Sequence, residues 1–236
     1  MGEIRIPGAT LEYEVETGRN EVNEAMPYVA VVGAEDVQGY VEIPSEIEGL
    51  PVKRIGGLAF GASCGELTGV TIPDSVAWIS ESAFAYSTML TCVKIPSSVR
   101  GIGECAFAGC EGLRWVDMPE GVMWVGFSAF TMCYGLVRVT MPSTLESIPR
   151  NAFSSCLSLS HVKISHGIKN IEECAFDDCI QLESITIPDS VTSRGRCAFV
   201  GCRNLANVSL PRRLENEPIE SAFLSCPRDL KILYRD

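Results

Sequence analysis

The sequence predicts a mainly β repeat solenoid, an elongated stack of about eight 23-residue turns behind an N-terminal β-rich cap. Three observations predict it. The phrase Ile-Pro-x-x-Val-x-x-Ile-x-x-x-Ala-Phe-x-x-Cys-x-x-Leu-x-x-Val-x returns every 23 residues, punctuated at Ile72-Pro73, Ile95-Pro96, Met118-Pro119, Met141-Pro142, Ile164-Ser165, Ile187-Pro188 and Leu210-Pro211. An Ala-Phe pair recurs at 59/60, 83/84, 106/107, 129/130, 152/153, 175/176, 198/199 and 222/223, which makes eight copies. No gap separates the copies, and an unbroken period of this length marks repeats that bury their apolar faces only by stacking on one another.

The elements follow in chain order. Residues 1–42 carry no repeat but hold apolar runs at 11–15, 28–32 and 40–43, which read as hairpin-like strands covering the first turn. Residues 43–236 form the solenoid. Its first turn is lengthened by an insertion over 47–52, and its last is degenerate, because residues 214–219 bring an extra residue and Pro218 and stretch the spacing to 24. Within each repeat, Leu-x-x-Val-x-Ile (Leu113, Val116, Met118; Leu182, Ile185, Ile187) alternates as a half-buried strand does, and Pro then ends the ladder. The shorter Val-x-x-Ile run (Val76 and Ile79; Val99 and Ile102; Ile168 and Ile171) reads as a second strand. The Ala-Phe-x-x-Cys segment, as at 105–110, is too short for a stable helix and reads as one helical or 3₁₀ turn that drives Phe107 and Cys110 inward. At roughly 4.8 Å per strand, the eight repeats span about 40 Å and align their phenylalanines into one spine.

Composition narrows the function. Apolar residues make up 46% and charged residues 21%, which fits a folded chain and excludes disorder. The net charge of −11, with no basic stripe, disfavours nucleic acid and anionic lipid surfaces alike. No stretch approaches the roughly 18 apolar residues of a membrane span, so no membrane insertion by this segment is expected. The N-terminus MGEIRIPGAT lacks a signal peptide's apolar run, and Ile6 spoils the myristoylation pattern. An intracellular chain, or one whose targeting and anchoring segments have been removed, would both read this way.

With Ile-Pro after the strand, Ala-Phe-x-x-Cys and the 23-residue period, the chain resembles the BspA-like leucine-rich repeats. The likeness runs densely over residues 41–226, and Glu42-Ile43-Pro44 through Leu50-Pro51-Val52 resembles that family's longer first repeat. Departures are Ser87 for Cys, Ser165 for Pro, Met118 and Met141 for Ile, and Arg194 for a buried Ile. The resemblance implies a right-handed solenoid on surface or secreted proteins, several of them implicated in adhesion, so a cell-surface or secreted location is expected on that ground. It brings no catalytic motif, and a fold does not fix a function.

Candidate chemistry is thin. Seven of the eleven cysteines (64, 110, 133, 156, 179, 202, 226) fill the repeat's inward column, three more (105, 174, 197) precede Ala, and Cys92 sits on a strand. A recurring inward Cys serves as a small core residue. If any bridge forms, Cys174 with Cys197 is the favoured pair. No Cys-x₂₋₄-Cys spacing suits zinc, and a Cys156/His161/His166 site is the one arrangement that can be drawn. Glu172-Glu173 and Asp177-Asp178 lack a calcium loop's alternation. No cofactor or metal is expected, and no nucleophile elbow, phosphate loop or His-Glu-x-x-His occurs.

What remains is surface. Positions flanking the buried Val of the first strand point outward: Trp115 and Asp117, Arg138 and Thr140, His161 and Lys163, with Lys94 one turn earlier. Trp78 and Trp124 share another column two repeats apart, and exposed aromatics are enriched at interfaces. The expected function is a non-catalytic binding or adhesion module that engages a protein or glycan partner around Trp115, Asp117, Arg138, His161, Lys94, Trp78 and Trp124. The rival readings are an intracellular interaction scaffold and an accessory domain of a larger surface enzyme.

Overall fold

A computed structural model describes residues 1–19, 25–216 and 221–236. The chain opens as an antiparallel meander of β1 (Gly2–Ile6), β2 (Ala9–Arg19) and β3 (Ala25–Glu35). It then winds into the solenoid. β4 (Gly39–Glu42) precedes a short antiparallel pair, β5 (Glu46–Ile47) and β6 (Leu50–Ile55), which accommodates the insertion over 47–52. Strands of two columns then alternate: β7 (Leu67–Thr71), β8 (Trp78–Ile79), β9 (Cys92–Lys94), β10 (Gly101–Ile102), β11 (Trp115–Asp117), β12 (Trp124–Val125) and β13 (Arg138–Thr140). The series continues with β14 (Ser147–Ile148), β15 (His161–Lys163), β16 (Asn170–Ile171), β17 (Ser184–Thr186), β18 (Ser193–Arg194), β19 (Asn207–Pro211) and β20 (Lys231–Arg235).

The first column stacks in parallel as β4-β7-β9, β11-β13-β15 and β17-β19-β20. The second runs β3-β6-β8-β10-β12 and then β14-β16-β18. β3 and β4 pair in parallel with β6 and β7, so residues before 43 supply both the antiparallel cap and the first rung. The apolar runs at 11–15 and 28–32 lie in β2 and β3. Part of the C-terminal insertion, residues 217–219, falls outside the described residues.

A third wall carries no strand yet is just as regularly bonded. Residues before each Ala-Phe (Ser82, Cys105, Ser128, Asn151, Cys174, Cys197) and three positions past the Ala (Tyr86, Gly109, Met132, Ser155, Asp178, Gly201) take φ between 52° and 70°. These left-handed residues turn the peptide groups along the solenoid axis. Each turn from the second to the seventh thereby donates three axial bonds to the next, as from Cys105 N–H to the Phe127 carbonyl (3.0 Å), Phe107 to Ala129 (2.8 Å) and Gly109 to Thr131 (2.8 Å). Holding a non-glycine residue in this region costs about 1 kcal/mol or more, and three otherwise orphaned bonds per turn offset it. Of the Ala-Phe turns, the first alone closes into a 3₁₀ helix, Ala62–Cys64. The others are successive i→i+3 turns interrupted by their left-handed residues.

The core is a set of columns. Phe60, Phe84, Phe107, Phe130, Phe153, Phe176, Phe199 and Phe223 stack with centroids 5.0–5.5 Å apart and planes within 10° of parallel. The spine expected from the period is thus continuous. Leu and Val or Ile columns close around it. At the C-terminal end Arg194 replaces the aliphatic residue, and its guanidinium lies 5.2 Å from the Phe223 ring, a cation–π contact that accommodates a charge beside the spine. Phe107→Ala or Phe130→Ala is expected to cost about 3–5 kcal/mol, because neighbours stacked on both sides cannot relax into the hole. A reversible urea melt measures it, and a loss below about 1 kcal/mol would contradict the assignment of the spine.

Candidate functional site

The inward cysteines come first, because they carry the most reactive atoms. Each thiol from the third repeat onward donates to the phenylalanine carbonyl one turn back: Cys110 to Phe84 (3.1 Å), Cys133 to Phe107 (3.2 Å), Cys156 to Phe130 (3.2 Å), Cys179 to Phe153 (3.3 Å), Cys202 to Phe176 (3.2 Å) and Cys226 to Phe199 (3.2 Å). The column therefore needs a small buried donor. Ser87, fully buried where the others have Cys, meets the need with its hydroxyl on the Phe60 carbonyl. Burial raises these thiols, Cys110 to about 12 and Cys133, Cys156 and Cys179 well above the usual 9. They are protonated, packed and unsuited to nucleophilic attack or metal ligation. Cys156, turned into the core, cannot join His161 in a metal site.

Cys174 and Cys197 lie in the left-handed column, partly exposed and unbridged. Burial first and the Asp177 charge second push Cys174 up to about 11.

The outward residues divide between two sheets. On the first strand column, Trp115, Arg138 and His161 stand in register, as do Asp117, Thr140 and Lys163. Trp115 is 45% exposed, and Asp117 and Arg138 form an exposed ion pair at 2.8 Å. His161 Nδ1 meets the Ser160 hydroxyl at 2.9 Å. Lys94 and Asp117 border a cleft of about 340 Å³ that Tyr40 and Trp115 wall on either side, above Val70, Cys92 and Val93. Tyr40 lies across Gly69, whose missing side chain makes the room: a Cβ there would come within 2.6 Å of the ring. The Tyr40 hydroxyl is held by Thr71 Oγ1 at 2.7 Å. A second cleft of about 370 Å³ continues along Arg138, His161 and Lys163, so the face passes from aromatic to cationic.

Trp78 and Trp124 are on the other strand column, in β8 and β12, and share no face with Trp115. Trp78 folds over Gly101, where a Cβ would sit 2.1 Å from the ring. The expected tryptophan cluster is thus two separate aromatic sites on two sheets.

Family comparison agrees with this geometry. The family model described as "BspA type Leucine rich repeat region (6 copies)" matches residues 53–180 and 146–233. The chain belongs to the BspA-type leucine-rich repeat family. Among solved structures it is similar to a leucine-rich cell surface protein of Faecalibacterium prausnitzii A2-165, with 29% identity and a TM-score of 0.72 over 88% of this chain and 54% of that one. It is also similar to a leucine-rich repeat protein of T. pallidum, with 27% identity and a TM-score of 0.70 over 90% of this chain and 95% of the other. A Bacteroides ovatus leucine-rich repeat protein follows at 26% identity and a TM-score of 0.53, covering 94% of this chain and 70% of that chain. The chain spans about half the length of the F. prausnitzii protein. No curated protein matches it. Among the described residues, no helix is long and apolar enough to cross a membrane.

Within this BspA-type repeat, sequence reasoning missed Tyr40, which was read as part of the cap. A signal was present: Gly69 interrupts a strand, and a strand glycine marks close approach by another group.

Two predictions follow from the thiol column. Ser87→Ala should cost about 1–3 kcal/mol in a urea melt by leaving a buried acceptor short of a donor, and Ser87→Cys should recover most of the loss. The second concerns alkali. The folded thiols stay neutral while unfolded ones ionise near 9, so the column's stability is intact below that pH. It is lost as pH rises toward the raised folded values, at about 1.4 kcal/mol per pH unit per thiol. The urea midpoint should fall steeply from pH 8 to pH 10, and less steeply in Cys133→Ser.

Proposed function

We propose that the chain is a non-catalytic binding module that presents its first strand column to a protein or glycan partner, as part of a surface or secreted protein. The supporting observation is the row of exposed, in-register side chains on rigid parallel strands, with Tyr40 and Trp115 walling a small-residue floor and Lys94, Asp117, Arg138 and His161 around them. Strands on a repeating scaffold hold such a row with little freedom to lose on binding, and aromatic walls supply contact area at low entropic cost. The clefts are open and shallow, which suits a macromolecular surface or a sugar ring better than an enclosed metabolite. The inward thiols, buried and raised above their ordinary range, are unsuited to nucleophilic attack. The F. prausnitzii relative, named a cell surface protein, supports the location.

Trp115 is the expected anchor. Trp115→Ala should weaken binding to a partner recovered from a glycan array or a surface-protein panel by about 2 kcal/mol, the scale of an interface hot spot. The thermal melt should stay nearly unchanged, since the ring is half exposed. A variant that loses stability while keeping its affinity would make Trp115 a structural ring.

A further inference from the structure

Among the described residues, the second strand column opens between β12 and β14. Along it, the residue after each Ile or Val donates its N–H to the equivalent carbonyl one turn back: Gly103 to Ile79 (2.7 Å), Gly126 to Ile102 (2.8 Å), Glu172 to Ile148 (2.9 Å) and Gly195 to Ile171 (2.6 Å). Residue 149 is a proline, so the Val125 carbonyl meets a ring where its neighbours meet a donor. Among the described residues, β12 and β14 do not pair, although the same two turns remain joined on the third wall, Phe130 N–H to the Ala152 carbonyl at 2.9 Å.

A cleft of about 640 Å³ lies over this seam between Trp124, Phe127, Met123 and Pro149, rimmed by Glu104, Glu146 and Glu172. It shares Trp124 and Glu104 with a cleft of about 400 Å³ that reaches Trp78 and Glu81. Trp124, Phe127 and Met123 are each about half exposed.

The polar side chains here almost all accept. The Ser147 hydroxyl is spent on Glu172 (2.7 Å) and that of Thr144 on the Val122 carbonyl (2.8 Å), while Pro149 has no N–H. The bordering cations are engaged, Arg54 with Glu16 and Lys169 with Glu146. A sugar needs donors and acceptors together; carboxylates and a spare carbonyl next to indole and phenyl faces match a donor-only cation.

We propose that this cleft docks an extended, arginine- or lysine-bearing segment of a partner protein, its cationic side chains lying across Trp124 and Phe127 and ending at the carboxylates of Glu81, Glu104 and Glu172. The site is distinct from the Trp115 face and independent of it.

The test is calorimetric titration, in 0.15 M salt, of a ten-residue alternating Arg-Ser peptide, its Glu-Ser counterpart and cellohexaose. Binding of the first is followed in parallel by NMR at the Trp124 indole N–H. The Arg-Ser peptide should bind, shift that resonance, and weaken tenfold or more in Trp124→Ala, Phe127→Ala and Glu104→Gln. Trp115→Ala and the remote Glu3→Gln should change affinity less than twofold. Phe127→Ala decides the matter if Trp124→Ala fails to fold. Equal losses in Glu3→Gln would reduce the effect to net charge, and cellohexaose binding at Trp124 without the peptide would make the cleft a sugar site. Either outcome, or no binding of the peptide, overturns the proposal.

Discussion

The fold depends on one constraint: after 23 residues the chain must return with the same N–H groups facing the same carbonyls one turn away. A short β strand does this easily. The Ala-Phe turn does it only by placing two residues per repeat in the left-handed region, where Cys105 and Gly109 or Ser128 and Met132 aim their peptide groups along the axis. Once that ladder is fixed, the phenylalanines have no alternative to a stack at its spacing. The cysteine beneath then faces a carbonyl of the previous turn at about the distance a thiol can bridge. Spine and thiol column are consequences of the axial register, so they recur with it and vary little.

Departures from the consensus are tolerated where they preserve the bond rather than the residue. Ser87 keeps a donor on the Phe60 carbonyl. Ser165, standing in for a proline, turns its hydroxyl to the Met141 carbonyl at 2.6 Å. Arg194 offers a planar cation to a ring face where an aliphatic side chain would have packed. Pro149 is different in kind, because it removes a backbone donor of the second strand column, and β12 and β14 part there while the third wall still joins the same two turns. A solenoid can bear this because each turn is held by several ladders, so one can be interrupted without releasing the stack.

The period made the fold legible in the sequence: Ile-Pro, Ala-Phe and Cys recur so regularly that strands, spine and inward thiols could be placed by counting. The site was legible only in part. Alternation along Leu113, Val116 and Met118 correctly turned Trp115 and Asp117 outward. Counting alone, however, does not reveal which walls share a face, and Trp115 proved to lie on one sheet with Trp78 and Trp124 on another. Tyr40 was hidden because it belongs to a rung that precedes the recognisable repeats, and its role depends on an absent side chain at Gly69. The role of Pro149 was hidden for a related reason. A proline in a turn is unremarkable until its register against Gly126 and Glu172 shows that a ladder donor belongs there.

The two faces differ in charge although the chain carries a net charge of −11. Trp115, Arg138, His161 and Lys163 occupy one strand column, while Glu81, Glu104, Glu146 and Glu172 gather beside the other. Within a Debye length of about 8 Å at physiological salt, a ligand responds to the column it touches rather than to the net charge. The repeat makes that separation possible, because each turn contributes one outward residue to every wall and the walls can be substituted independently of the buried columns. Where β12 and β14 part, the wall changes in shape as well as charge, and a cleft opens among the turns that carry Trp124 and Phe127. A single proline in the repeat, which leaves the core columns untouched, therefore marks the position where this wall parts.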